Sequence, residues 1–170
     1  MSEESGSAVQ GSVQESALPH LTAAGAARMV DVGAKGATAR EAVATGRLVL
    51  SAEAIAALRS GTVAKGDALG VARIAGIMAT KRVPELIPLC HQVALSGVDV
   101  ELDVRDTDVV ITVTARTTDR TGVEMEALTG VAVAGLALHD MVKAVDPAAV
   151  LTDIRLDRKT GGKTGVWTRP

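Results

Sequence analysis

From Ala127 to His139 thirteen consecutive residues carry no Asp, Glu, Lys or Arg. The wider stretch Thr121 to Val145 places Val123, Leu128, Val131, Leu138, Met141 and Val142 on most sides of a helix. A helix that apolar must be covered almost all round, which commits the chain to a core built around it. Asp146 and Pro147 are positioned to halt it. The charge-free runs, here and from Leu86 to Val98, fall short of the roughly 18 to 20 apolar residues that cross a bilayer, so no transmembrane helix is expected.

The cover comes from strands. Val98, Val100, Leu102 and Val104 alternate with Asp99, Glu101, Asp103 and Arg105, the period-2 pattern of a strand with one wet face. After Asp106-Thr107-Asp108, Val109, Ile111 and Val113 continue the alternation, so the pair reads as an antiparallel hairpin. Thr38 to Leu50 reads as an earlier strand, with Gly46 against it. Ser51 and Gly61 bracket a short helix as N-cap and C-terminal glycine. Gly66-Asp67 opens a second, carrying Val71, Ile74, Ala75 and Met78, that Pro84 should stop. Val150 to Asp157 supplies a last strand, and Lys159 to Pro170 a glycine-rich tail. Setting the short helix aside, the order β-α-β-β-α-β predicts an α+β, ferredoxin-like split β-α-β fold, an antiparallel sheet covered by helices on one face. The other face should need a partner. Residues 1–18, rich in Ser, Glu, Gln, Gly and Ala, read as a disordered tail ahead of one domain over 19–170.

Composition narrows the function. The chain has no Phe, no Tyr and a single Trp, with a net charge of −2. It lacks both the stacking rings and the positive excess of a single-strand nucleic-acid binder. A core of Val, Leu, Ile, Ala and Met follows, and a heterocyclic ligand would be held mainly by hydrogen bonds and charge. One cysteine, Cys90, precludes an intrachain disulfide, and no secretory signal is read at the N-terminus, so a cytoplasmic location is expected.

Several polar residues stand where chemistry is feasible. Cys90 and His91 lie on a segment kept from helix by Pro84 and Pro88, either as a ligand-binding or proton-transferring pair or as an idle loop. With only His20 and His139 besides, a four-ligand zinc site is hard to assemble. Glu124 and Glu126 begin the long helix, where carboxylates also simply suit the dipole. Asp140 and Lys143, three apart, share a helical face as an acid–base couple or a plain ion pair. Asp140 follows the uncharged run, so partly apolar surroundings are expected for it. Glu126 and Asp140 are fourteen residues, about 21 Å, apart along a helix, too far for one compact ligand on one chain. Lys159-Thr160-Gly161-Gly162-Lys163-Thr164-Gly165 ends like a phosphate loop, but Asp157 stands where that motif needs glycine. A cationic tail able to approach phosphates survives, with Lys65, Lys81 and Arg82 as further ambiguous cations.

Taken as ordered runs, Met29-Val30-Asp31-Val32, Gly76-Ile77-Met78-Ala79 with Lys81-Arg82, Leu86-Ile87-Pro88-Leu89-Cys90-His91, Gly122-Val123-Glu124-Met125-Glu126-Ala127-Leu128, Asp140-Met141 with Lys143-Ala144, and Lys159 with Gly161-Gly162-Lys163 resemble the cyclic pyranopterin monophosphate synthase family of molybdenum cofactor biosynthesis. The resemblance covers about His20 to Val166. It implies 3′,8-cyclo-7,8-dihydro-GTP as substrate, cyclic pyranopterin monophosphate and pyrophosphate as products, and neither metal nor other cofactor. It also implies a homohexamer built as a trimer of dimers, with the site at a subunit interface, and the preceding radical enzyme as a candidate partner. Carried over by position, Asp140, Lys143 and Lys159 match catalytic residues. Leu89, Cys90, His91, Met125 and Glu126 match substrate contacts, with Glu124, Lys65 and Lys163 as further pocket candidates. Three positions depart from the family pattern: Gln92 replaces a proline, His139 a tyrosine and Thr164 a serine. Gln92 is expected to loosen the His91 loop, and His139 to alter the pKa of Asp140. A non-catalytic binder of an anionic nucleotide or pterin, and a purely structural oligomer, are the competing readings.

Overall fold

The computed structural model describes residues 24–170; the expected tail, 1–18, lies outside them. The chain divides into two compact units between Val30 and Asp31, and all helices and strands of the described residues belong to Asp31–Pro170. They follow as β1 (Thr38–Val49), α1 (Ala52–Ser60), α2 (Ala68–Thr80), α3 (Val83–Leu86), β2 (Leu95–Val104), β3 (Asp108–Asp119), α4 (Glu124–Val142), β4 (Val150–Thr160) and β5 (Trp167–Thr168). The sheet order is β2-β3-β1-β4-β5, with every neighbouring pair antiparallel. β3 enters between β1 and β2, the split arrangement of a ferredoxin-like fold.

Local chemistry sets the boundaries. Ser51 caps α1 by accepting from the Ala54 amide, and Gly61 closes it in the left-handed region at φ 67°. Asp67 caps α2 through the Gly70 amide. Pro84 does not stop α2, which ends at Thr80. It sits instead in the first turn of the short helix α3, where its fixed φ and missing N–H are tolerated. The expected tail is partly sheet: β4 runs on to Thr160, and Trp167 returns to pair with Lys159.

Helix α4 crosses β1, β3 and β4 while α2 lies beside it and flanks β2, so both cover one sheet face. Ala42, Ala44 and Leu48 of β1, Val109, Ile111, Val113 and Ala115 of β3, and Ala127, Val131, Ala134 and Leu138 of α4 are fully buried between the layers. Gly46 lies within β1 rather than breaking it because α4 comes so near: a Cβ there would stand 2.6 Å from Val131 Cγ1 and 3.2 Å from Ile154 Cγ1. With its terminal acids counted, α4 spans 19 residues and is, by length and composition alone, long and apolar enough to cross a membrane, which the shorter charge-free run concealed. Its contacts with the sheet and α2 are those of a core helix.

The opposite sheet face differs from expectation. It carries ion pairs, Arg116 with Glu41 and Asp99, Arg158 with Glu41, and Arg155 with Asp157, beside the Thr45 hydroxyl donating to Asp157. Such a polar face needs no apolar cover. Exposed apolar surface lies instead on α2, where Val71, Ile74 and Met78 are 43%, 60% and 53% accessible at helical spacing. Because α4 has no room to retreat, Gly46→Val should destabilise the protein by about 1–3 kcal/mol. A urea melt checks this, and unchanged stability would mean that the β1–α4 contact is looser than the structure has it.

Candidate active site

The polar groups of interest gather at the two ends of α4. At its C-terminal end Asp140 stands between two lysines. Lys143, one turn on, meets Oδ1 at 2.6 Å, and Lys65 from the α1–α2 loop meets Oδ2 at 2.7 Å. The Lys65 ammonium also donates to the Asp140 carbonyl oxygen at 2.8 Å. Asp140 is 55% exposed, so the expected apolar surroundings are absent: α4 turns this residue out of the core. Hydrogen bonds from Lys143 and then Lys65 lower its pKa from 3.8 to about 2. His139 is not among the causes of that shift.

At the N-terminal end the two glutamates diverge. Glu124 pairs with Lys159 of β4 at 2.9 Å. Glu126, two residues on, turns inward and is only 3% exposed. Burial pushes its carboxyl upward; a hydrogen bond from its own backbone amide opposes this, and the Glu124 charge adds to it. The Cys90 thiol is raised as well, first by burial and then by Glu126. Both acids of this pair are therefore biased toward their protonated forms. Glu126 lines a cavity of about 180 Å³ with Thr80, Lys81, Pro84, Gln92, Val93 and Leu95. Cys90 is fixed by a turn in which its amide donates to Ile87 O at 3.0 Å. His91 and Met125 are half-buried, and Leu89 is 37% exposed.

A larger hollow of about 450 Å³ adjoins this end, lined by Lys35, Thr38, Arg40, Arg120, Gly162 and Lys163 among others. No Asp or Glu lines it. Among the described residues Lys35, Arg120 and Lys163 form no ion pair, so they are the cations open to an incoming anion. Arg40 serves differently: its Nε donates to Asp119 O at 2.9 Å and its Nη2 to Arg120 O at 3.1 Å, clipping the end of β3 to β1. Lys163 is thus placed as expected, whereas Lys35, Arg40 and Arg120 escaped sequence reasoning. They meet only because β1 and β3 start and end together, Thr38 opposite Asp119. The one signal available was the general gathering of basic residues at element ends.

The structure brings together Lys65 with Asp140 and Lys143, Glu124 with Lys159, and Glu126 with Cys90. It does not bring the first group to the other two, since about 21 Å of helix separates Asp140 from Glu126. One end offers a carboxylate and two ammonium groups within hydrogen-bond reach. The other offers a buried carboxyl beside a cationic hollow. These are group types able to move protons and to meet an anion without aromatic stacking.

A ferredoxin-like α+β chain carrying a carboxylate between two lysines and a hollow lined by cations is the class these features define. A family model described as the MoaC family matches residues 29–162. A cyclic pyranopterin monophosphate synthase of Nocardioides sp. is 60% identical over 156 residues, 90% of this chain and 96% of its own length. The enzyme of that name from Streptomyces coelicolor is 60% identical over 152 residues, 89% of each chain. Cyclic pyranopterin monophosphate synthase 2 of Mycobacterium tuberculosis H37Rv is 58% identical over 152 residues, 89% of this chain and 91% of its own. The chain belongs to the MoaC family.

The two carboxyls have opposite pH signatures. Asp140, with its folded pKa below the ordinary value, contributes stability above pH 3.8 that is lost as the pH falls to about 2. Carbon NMR of the Asp140 carboxyl should show that low midpoint, and Lys143→Ala should raise it; an ordinary midpoint in the wild type contradicts the paired geometry. Glu126, with its pKa raised, favours folding at low pH and less so as the pH rises through its folded value. Glu126→Gln should therefore raise the melting temperature at pH 8, by roughly 2 °C, more than at pH 5. Equal shifts at both pH values would remove the buried-carboxyl reading.

Proposed function

We propose that this chain converts 3′,8-cyclo-7,8-dihydro-GTP into cyclic pyranopterin monophosphate and pyrophosphate in molybdenum cofactor biosynthesis. The observation that carries the reading is the 60% identity, over nine-tenths of the chain, to a relative named for that product. The residue types suit it. Opening the purine-derived rings and reclosing them as a pterin moves protons without net oxidation, which acids and bases can accomplish. A sugar hydroxyl then attacks the α-phosphorus: the new P–O bond forms as the bond to the β-phosphate oxygen breaks, and pyrophosphate leaves. Cations must hold the chain in line and neutralise the charge that develops.

Asp140, held as a carboxylate by Lys65 and Lys143, aims both ammonium groups at one point, so the lysines serve as donors and Asp140 as the acceptor that follows. Lys159 and Lys163 belong to the phosphates, joined there by Lys35 and Arg120. Glu126 and His91 hold the base-derived ring, with Leu89, Cys90 and Met125 forming its surroundings and Glu124 keeping Lys159 in place.

The distance along α4 means that one substrate meets both ends only where two copies face each other, so the site is shared. The exposed Val71-Ile74-Met78 stripe of α2 supplies apolar surface for such an association, and the homohexamer of three dimers belongs to the same proposal. Action in the cytoplasm, with the preceding radical enzyme as source of the substrate, completes it.

Turnover assays on cyclo-dihydro-GTP, following pyrophosphate, test the assignment. Asp140→Ala and Lys143→Ala should each lose about a hundredfold or more in rate. Glu126→Gln mixed with Asp140→Ala should recover activity, approaching about a quarter of wild type if copies exchange at random in a dimeric unit. Binding without pyrophosphate release would favour the non-catalytic reading, and absence of recovery on mixing would place the whole site on one chain.

A further inference from the structure

The cavity at Glu126 contains two polar groups that the site so far leaves unused, the Lys81 ammonium and the Gln92 carboxamide. Its walls are apolar at Pro84, Val93 and Leu95, and its polar groups come from Thr80, Lys81, Gln92 and Glu126. The Thr80 hydroxyl is already committed, donating to Ile77 O at 2.8 Å. The exposed carboxamide of Gln92 makes no hydrogen bond among the described residues, although it borders the same cavity as the buried carboxyl. At about 180 Å³ this space suits the edge of one ring system rather than a whole nucleotide.

The donor and acceptor inventory decides what edge fits. Burial alone biases Glu126 toward its protonated form, but adjacent N–H and amino donors on a bound ring stabilise the ionised carboxylate, which only accepts and so matches them; a carboxamide both accepts and donates, so Gln92 supplies the N–H that a ring carbonyl requires. A 2-amino-4-oxopyrimidine presents that combination, two donors followed by a carbonyl. A ring bearing an amine in place of the carbonyl would leave the Gln92 N–H facing another donor. Resting on the proposed function, we propose that Gln92 is a specificity-determining residue of this chain, reading the ring carbonyl while Glu126 takes the neighbouring N–H groups.

Calorimetry on the full-length protein tests this without requiring turnover, using GTP and the triphosphate of 2,6-diaminopurine riboside, which carries an amine where GTP carries the carbonyl and a bare ring nitrogen where GTP carries the N–H that faces Glu126. The wild type should bind GTP about a hundredfold more tightly, since the diamino ring frustrates one hydrogen bond at Gln92 and one at Glu126, each worth about tenfold. Gln92→Ala and Gln92→Pro should both reduce that ratio by about tenfold, chiefly by weakening GTP, leaving the share that belongs to Glu126. Gln92→Glu, which exchanges the donor for an acceptor, should lower the ratio by about a further tenfold, a step that mere loosening of the loop does not produce. Melting curves establish that each variant folds. An unchanged ratio in the Ala and Pro variants, a ratio in the Glu variant no lower than in the Ala variant, or no wild-type preference overturns the assignment. Loss of pyrophosphate release with the nucleotide preference intact would count against the proposed reaction alone.

Discussion

The contact between α4 and the centre of the sheet governs the rest of the molecule. Val131 occupies the space over Gly46 that any other side chain would claim, and Ala42, Ala44 and Ala134 keep the two layers close. α2 approaches α4 just as closely, since a Cβ on Gly76 would lie 3.1 Å from both Ala134 Cβ and Gly130 O. A core thin enough for alanine and glycine has little room for rings, which accounts for a chain without Phe or Tyr. Holding α4 at several points along its length also fixes both ends in space. The charge clusters borrow their precision from that packing.

The same helix treats its acids in opposite ways. Glu126 points toward the sheet and is desolvated; Asp140 points outward and is met by two ammonium groups. Their separation by fourteen residues along one rigid rod prevents either from compensating the other. A carboxyl inclined to keep its proton and a carboxylate inclined to lose it can hold different parts of one substrate in different ways, provided that a second copy completes the assembly. The two places also differ in their surroundings: a small cavity of mixed polar and apolar walls at Glu126, and an open hollow without acids beside Lys163.

Much of the fold was legible because periodicity is a local property. The alternation from Val98 to Val113 and the uncharged run of α4 each report which face meets the core, and Ser51 and Gly61 mark the α1 ends through chemistry confined to a few residues. Pro84 misled because a proline stops a helix from within but is welcome in the first turn of a new one, and sequence spacing does not say which applies. The β5 return and the polar character of the open sheet face depend on pairing between distant residues. Lys163 was legible as part of a cationic run; Lys35 and Arg120 were not, since each is an isolated surface cation until strand register places them around one hollow.

Sequence alone determined the element order, the family resemblance and the types of residue available for proton transfer and anion binding, because these reside in short-range pattern and ordered motifs. Tertiary structure decided which charges meet. It gave Asp140 a second lysine from a loop 75 residues away, turned Glu126 inward, paired Glu124 with Lys159 and set Gln92 beside the buried carboxyl. Electrostatic strength depends on separation in space and on exposure to water, and neither is defined until the chain has packed.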